Sequence, residues 1–133
     1  MWTVKHTVGR LVEARFASVE AGALTECLTA IADTVARAPQ RVIGIFDLAR
    51  ARVLSKEETE LLVNVMRVDN PHVERTAIIV TGDALLEKQM ERLVRAAGLP
   101  YRRVFRLRNE ALYWLSECLS TVELAQARSF LSE

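Results

Sequence analysis

The chain has few of the residues and patterns that mark a catalytic or metal-binding protein. It contains only two cysteines, Cys27 and Cys118, and neither has a Cys or His neighbour at metal-ligand spacing. We interpret both as buried free thiols, which predicts a reducing compartment and a fold that needs no disulfide, metal or cofactor. There is no GxxxxGK[ST] or GxGxxG phosphate loop, and neither His6 nor His72 has a recognisable catalytic partner.

A charge excess and a membrane-spanning run are also missing. Lysine plus arginine is 18 and aspartate plus glutamate is 17, so the formal net charge is only +1. That balance argues against a protein whose main task is to coat nucleic acid or an anionic membrane. No apolar run approaches the ~20 residues that cross a bilayer, and the N-terminal sequence has no charged leader before an apolar segment. We therefore expect a cytoplasmic protein.

What remains is an ordinary globular composition, with 50% hydrophobic and 26% charged residues. No low-complexity segment, repeat or Pro/Gly/Ser-rich linker divides the chain, so a length of 133 predicts a single domain, 1–133. Hydrophobic periodicity predicts the order β-β-α-β-α-β-α-β-α-α. An opening antiparallel hairpin is followed by strands that alternate with helices, which predicts a mostly parallel sheet with helices on its faces.

The predicted boundaries follow from alternation, capping residues and helix breakers. The strands are expected at 2–8, 10–17, Val42–Phe46, Ala77–Val80 and Tyr101–Leu107. The helices are expected at ~21–37, at 55–68, from Asp83 to about Gly98, from a cap at Asn109, and from a cap at Thr121.

Ser55 stands where a helix begins, after the buried strand Val42–Phe46 and a short loop. Ser55 and Glu58 have capping-box spacing, and such a cap is worth ~1 kcal/mol. The alternative is a phosphoserine, which would place roughly −1.5 to −2 charge at the positive end of the helix dipole. The basic residues available to pair with it are Arg50, Arg52 and Lys56, and Glu57 and Glu58 would oppose it. The sequence favours the cap and leaves the phosphoserine open.

Two aspartates, Asp47 and Asp83, follow buried strands. Carboxyl ends of parallel strands are where α/β domains place ligands, so the loops after these strands could share one rim. Converging acids with raised pKa values would support a small enzyme. Acids that terminate strands or cap helices are common, and no nucleophile with its base accompanies these two, so we predict that the protein is not an enzyme.

Four arginines cluster near the last predicted strand: Arg102, Arg103, Arg106 and Arg108. We interpret them as a solvated edge strand whose charges prevent aggregation, in preference to an anion or acidic-partner patch. No helix-turn-helix, zinc-finger or aromatic-basic RNA-binding pattern accompanies them, so we expect no nucleic-acid partner.

Several of these segments together resemble the STAS family, the anti-sigma-factor-antagonist type of domain, and in particular its divergent SpoIIAA-like branch. They are the strand Val42–Leu48, Ser55 at a helix start, the strand Ala77–Val80, and the closing pattern Val104-Phe105-Arg106 … Glu110-Ala111-Leu112-Tyr113-Trp114-Leu115. The similarity runs to residue ~119 by element order. Residues 121–133 form a C-terminal helical extension beyond it.

The resemblance implies an α/β fold with a mixed sheet of four to five strands and helices packed mainly on one face. It also implies a bacterial signalling domain that binds a partner protein, with Ser55 matching the serine that a partner kinase phosphorylates. Leu54 and Lys56 replace the acidic residue and the glycine that usually flank that serine. The expected partner surface comprises Asp47, Arg50, Arg52, Ser55, Lys56 and Glu58.

Two further expectations concern the aromatic and apolar residues. A cavity of a few hundred Å³ between helices and sheet would favour the alternative function, the binding of a small apolar ligand or lipid. Phe130 and Leu131 on the last helix would mediate a homodimer if the fold leaves them exposed.

Overall fold

The computed structural model describes residues 1–17 and 22–133, and it shows an α/β fold with a five-stranded mixed sheet. The strands are β1 (Trp2–His6), β2 (Leu11–Phe16), β3 (Val42–Asp47), β4 (Val73–Ile79) and β5 (Arg102–Phe105). The helices are α1 (Ala23–Arg37), α2 (Lys56–Asp69), α3 (Ala84–Ala97), α4 (Arg108–Ser116) and α5 (Thr121–Leu131), with a 3-10 turn at Asn70–His72. This confirms the predicted fold class and element order. The predicted start of the first helix, near residue 21, lies outside the described residues.

The strands lie in the sheet in sequence order, β1-β2-β3-β4-β5. The first pair is antiparallel and the other three pairs are parallel. Each parallel crossover moves in the same direction across the sheet, and such crossovers are right-handed, so α1, α2 and α3 should all lie on one face. The larger core cluster confirms this, because it joins residues of these three helices to Phe16, Phe46 and Ile78.

The opposite face is covered by α4 and α5. Their residues Ala111, Leu115 and Ala127 pack in a second cluster against Ile45 and Ile79 of the central strands. Strand β3 and the last part of β4, residues 77–79, are therefore buried on both sides, which explains why these two segments are almost continuously apolar. Of the five α-helices in the described residues, three lie on one face of the sheet and two on the other.

Several boundaries differ from the predicted ones. Helix α4 begins at Arg108 after Leu107, so Asn109 lies within its first turn and is not its cap. Helix α5 is capped by Ser120, which forms a capping box with Glu123, so the predicted cap at Thr121 is wrong by one residue. The Ser-x-x-Glu spacing was visible in the sequence.

Both cysteines are free thiols, as predicted, but only Cys27 is buried. Burial raises the pKa of the Cys27 thiol to about 12, so it stays protonated and unreactive. Cys118 is half-buried, and its sulfhydryl donates to the carbonyl of Leu115 at 3.4 Å.

A buried ionic cluster ties α5 to the start of β2. Glu123, only 3% exposed, accepts hydrogen bonds from the backbone N–H of Arg10 at 2.7 Å and from Arg10 Nη2 at 2.9 Å. The same guanidinium reaches Glu74 on β4 and the carbonyl of Cys118. One arginine thus joins two strands to the C-terminal helical segment, which makes α5 an integral part of the domain.

Glu13 of β2 is a second carboxylate buried beneath α5. Gln126 donates to its Oε1 at 3.0 Å, whereas its Oε2 has no hydrogen-bond partner in the part of the chain that the structure describes. Burial raises the pKa of Glu13, because desolvation penalises the charged form more than its partners stabilise it.

Glu13→Gln is expected to raise the free energy of unfolding at neutral pH by about 1 kcal/mol, since an amide avoids the cost of burying a charge. Because the folded-state pKa of Glu13 is raised, the penalty on the native protein exists above that pKa and disappears as the pH falls through it. Urea unfolding at neutral and acidic pH should therefore show the gain shrinking on acidification. A gain that is independent of pH would contradict this origin.

Candidate functional site

The loop after β3 and the first turn of α2 contain most of the predicted site residues. Ser55 is the N-cap of α2, and its hydroxyl accepts from the backbone N–H of Glu58 at 3.1 Å. The Glu58 carboxylate accepts from the backbone N–H of Ser55 at 2.8 Å. The predicted capping box is therefore confirmed, and Ser55 is exposed at the end of the helix.

This loop is fixed at both ends by hydrogen bonds from the rest of the protein. At its start, the backbone N–H of Ala49 donates to Asp47 Oδ1 at 2.9 Å. At its end, the side-chain amide of Gln89 on α3 pairs with the backbone of Leu54, donating to its carbonyl and accepting from its N–H, both at 2.8 Å. Leu54 itself is buried in the core.

Most side chains between these anchors are exposed, whereas Ala51 packs against the larger core cluster. Arg50, Arg52 and Lys56 are exposed, and Val53 is an exposed apolar residue beside them. Arg52 lies 3.9 Å from Glu58 and donates to the carbonyl of Val53. Glu58 thus contacts both Ser55 and Arg52, and the exposed Arg50 and Lys56 flank them in the sequence. We call these five residues the Ser55 surface.

Asp47 differs from the other predicted site residues because it is buried, with 2% exposure. Its Oδ2 accepts from Arg15 Nε at 3.1 Å and lies 3.5 Å from Arg108 Nη2. These partners come from β2 and from the start of α4, far from Asp47 in sequence. Asp47 therefore holds two arginines in place and anchors the loop through Ala49.

An open cleft of about 600 Å³ lies above Asp47, at the carboxyl end of β3. Thr81, which follows β4, lines the same cleft, so the predicted rim is shared by the loops after both strands. The cleft contains three arginines, Arg15, Arg50 and Arg108, and two acids, Asp47 and Glu133. Sequence reasoning missed Arg15 and Glu133, because nothing local connects them to this rim.

Asp83 does not join Asp47. Its carboxylate accepts from the backbone N–H of Leu86 at 3.0 Å and caps α3. The two aspartates that a small enzyme would have used are thus engaged in separate structural contacts. Among residues 1–17 and 22–133, no group of three His, Cys, Asp or Glu side chains could hold a metal ion.

A second, smaller cavity lies between the sheet and helices α1 and α2. Its volume is about 70 Å³, well below the few hundred Å³ expected of a lipid carrier. Gly44 forms part of its floor, and the buried polar residues Asp69 and Arg102 line it among apolar side chains. Burial raises the pKa of Asp69 and lowers that of Arg102 to about 10.

The arginine cluster near β5 serves four different structural roles. The prediction of a solvated edge is wrong for Arg102, which is 5% exposed and donates to Asn70 Oδ1 at 2.8 Å. Arg103 lies over the Trp114 ring, and Arg106 donates to Glu87 at 3.0 Å. Arg108 faces Asp47.

The condition for a dimer through the C-terminal helix is not met. Phe130 and Leu131 are buried, at 6% and 7% exposure, in the cluster beneath α4 and α5. Arg15 stacks its guanidinium over the Phe130 ring at 4.3 Å, which adds to that burial. These residues stabilise the domain and are not available to a second copy.

In the described part of the chain, no helix has the length and apolar character needed to cross a membrane. Comparisons of the chain with protein-family models, with curated proteins and with solved structures gave no match. Membership of the STAS family therefore stays a prediction from the sequence pattern.

Proposed function

We propose that the protein is a non-enzymatic, STAS-like regulatory domain that binds a partner protein through the Ser55 surface. The observation that carries the proposal is that the loop 49–55 is hydrogen-bonded at both ends while its two arginines, Arg50 and Arg52, are exposed. Gln89 fixes the loop end and Asp47 fixes its beginning. A surface ordered before binding loses little conformational entropy when a partner arrives.

The charge of the surface indicates the kind of partner. Arg50, Arg52 and Lys56 are exposed, and each lies within three residues of Val53, whose apolar side chain is also exposed. A regulatory protein with an acidic patch around an apolar pocket would complement them. Exposed charges of this kind accelerate association and make it sensitive to salt.

Ser55 would act as the switch in this proposal, with a kinase as a second partner. Ser55 is exposed, and its backbone N–H donates a hydrogen bond to the carboxylate of Glu58. A phosphate at Ser55 would repel that carboxylate and pair with Arg52, which lies near Glu58. The Ser55 surface would then lose positive charge, and an acidic partner would be released.

Pull-downs from lysate of the native host should compare the native protein with Ser55→Ala, Ser55→Asp and Arg52→Glu. We expect Ser55→Ala to retain its specific partner and the two charge-altering variants to lose it. Arg92→Glu makes the same charge reversal on an exposed position of α3 and serves as the matched control. Equal capture by all folded variants, or equal loss with Arg92→Glu, would contradict a partner site at Ser55.

Ser55→Ala is also expected to lower the free energy of unfolding by about 1 kcal/mol, because it removes the hydroxyl that accepts from the backbone N–H of Glu58, whereas the backbone N–H of residue 55 can still donate to the Glu58 carboxylate. Urea unfolding would measure the loss. Ser55→Asp should lose less, since aspartate is also a good N-cap, although it would sit close to Glu58. No measurable change in Ser55→Ala would show that the cap contributes nothing.

A second candidate function is the binding of a small apolar ligand in the cavity above Gly44. It is favoured by the largely apolar lining of that cavity. A cavity of about 70 Å³ has room for a very small molecule only, so a larger ligand would require α1 and α2 to separate. Native mass spectrometry of protein from its own host tests this: a bound mass removed by organic extraction supports it, and the bare protein mass contradicts it.

A further inference from the structure

We propose that the cleft above Asp47 binds a small organic molecule through an oxyanion group, a phosphate or a carboxylate. This site is separate from the partner surface proposed above, apart from Arg50, which borders both. The cleft volume of about 600 Å³ falls in the range of small-molecule sites. It lies at the carboxyl ends of two parallel strands, β3 and β4, where α/β folds form ligand crevices.

The arginines of the cleft differ in how many of their N–H donors form hydrogen bonds within the protein. Arg15 is occupied by Asp47, by Glu133 and by the carbonyl of Phe130, at 2.9–3.1 Å. Within the described residues, Arg108 has one polar contact, at the long distance of 3.5 Å from Asp47, and its buried Nε has no hydrogen-bond partner there. Arg50 makes no hydrogen bond or ion pair with any residue in 1–17 or 22–133. Two guanidinium groups therefore have donors to spare at the same cleft.

The charge balance favours an anion in this position. The two acids of the cleft, Asp47 and Glu133, are both engaged by Arg15. Asp47 is buried beneath the cleft, where its carboxylate pairs with Arg15 and Arg108. The three arginines of the cleft outnumber its two acids by one, and Arg50 pairs with neither acid, so one positive charge is uncompensated. The fork of an arginine matches the oxygens of a phosphate or carboxylate.

The remaining walls indicate what else the ligand would contain. Trp2 and Ala49 line the cleft beside the arginines, and the hydroxyl-bearing Thr81 stands opposite the end of β3. An apolar or aromatic body attached to the oxyanion would contact Trp2 while its oxygens reach the arginines. A free inorganic anion would use only part of the cleft.

Titration calorimetry at low salt with phenyl phosphate, benzoate and inorganic phosphate would test the site, with phenol as the neutral control. We expect saturable binding of phenyl phosphate or benzoate that is tighter than that of inorganic phosphate, and none for phenol. The stronger of the two organic probes identifies the oxyanion. No saturable binding by either organic probe, or binding of inorganic phosphate that is equally tight, would overturn the proposal.

Variants would locate the bound probe. Arg108→Met and Arg50→Met should each weaken binding by about tenfold, because each removes charge-assisted hydrogen bonds. Arg50→Met removes no hydrogen bond or ion pair found within residues 1–17 and 22–133, so it stays informative if Arg108→Met fails to fold. Arg92→Met, on an exposed turn of α3 outside the cleft, should bind like the native protein. An equal loss in Arg92→Met, or none in Arg50→Met, would show that only the general positive field attracts the anion.

This experiment and the partner pull-down can fail independently. Arg108 and Thr81 belong to the cleft alone, whereas Arg52 and Lys56 belong to the Ser55 surface alone. Arg52→Glu should therefore abolish partner capture without abolishing binding of the organic probe. If Arg108→Met abolished both, the cleft would be part of the protein interface and the separate ligand site would be contradicted.

Discussion

Arg10→Met is expected to lower the free energy of unfolding by about 3 kcal/mol at neutral pH. The substitution keeps the apolar stem of the side chain but removes the guanidinium that binds Glu123, Glu74 and the carbonyl of Cys118. Glu123 would then be a buried carboxylate without its counter-charge. Two backbone N–H donors, those of Arg10 and Ser120, would still reach it, so the loss should not exceed this figure greatly.

The pH dependence of stability provides the diagnostic measurement for this cluster. The hydrogen bonds from Arg10 lower the pKa of Glu123 from 4.5 to about 2. Since the folded-state pKa is lowered, the stabilisation is complete above the unfolded-state pKa and is lost as the pH falls from about 4.5 towards 2. A carboxyl pKa lowered from 4.5 to about 2 corresponds to roughly 3 kcal/mol of stabilisation, part of which comes from the backbone N–H donors that Arg10→Met keeps.

Urea unfolding of the native protein and of Arg10→Met should therefore be compared at about pH 7 and about pH 3. The difference between the two proteins should be largest at neutral pH and should shrink in acid. Arg128→Met, on the exposed side of α5, is the matched control and should change stability very little. A destabilisation by Arg10→Met that is the same at both pH values would show that packing, and not the ion pair, is responsible.

The Arg10 cluster also shows where prediction from sequence ends. The element order could be predicted because periodicity, Ser55 and Pro71 are local features of the chain. The pairing of Arg10 with Glu123 spans 113 positions and leaves no local pattern. The Ser120 cap was within reach, since its spacing to Glu123 matches that of Ser55 to Glu58. The long-range partner of that glutamate required the folded chain.

The difference between local features, which the sequence reveals, and long-range contacts, which it does not, also applies to the candidate site. Four of the predicted site residues are neighbours in sequence, so their common location in one loop and helix start could be predicted: Arg50, Arg52, Ser55 and Lys56. The rim around Asp47 was predicted from the strand ends, but its arginines come from β2 and α4. Helix α5 covers β2 and contributes Phe130 beneath Arg15, although its sequence offered no sign of a link to that strand.

Asp47→Ala is expected to lower the free energy of unfolding by about 2 kcal/mol, a larger loss than for the other strand-end aspartate, Asp83. The buried carboxylate of Asp47 satisfies the backbone N–H of Ala49 and neutralises both Arg15 and Arg108. Removing it leaves two partly desolvated cations side by side and frees the start of the loop 49–55. Both arginines keep about a third of their side-chain surface in water, which limits the loss.

Asp83→Ala provides the matched comparison. Asp83 caps α3, so its replacement should lower the free energy of unfolding by about 1 kcal/mol. Urea unfolding of the native protein and of both variants should be measured with and without phenyl phosphate. The comparison tests whether the arginines held by Asp47 bind the probe. The loss of Asp47 releases Arg15 and Arg108, so the probe should stabilise Asp47→Ala more than it stabilises the native protein or Asp83→Ala. If the probe stabilised all three equally, the arginines held by Asp47 would not be those that meet the anion, and the cleft would have to bind it through Arg50 alone.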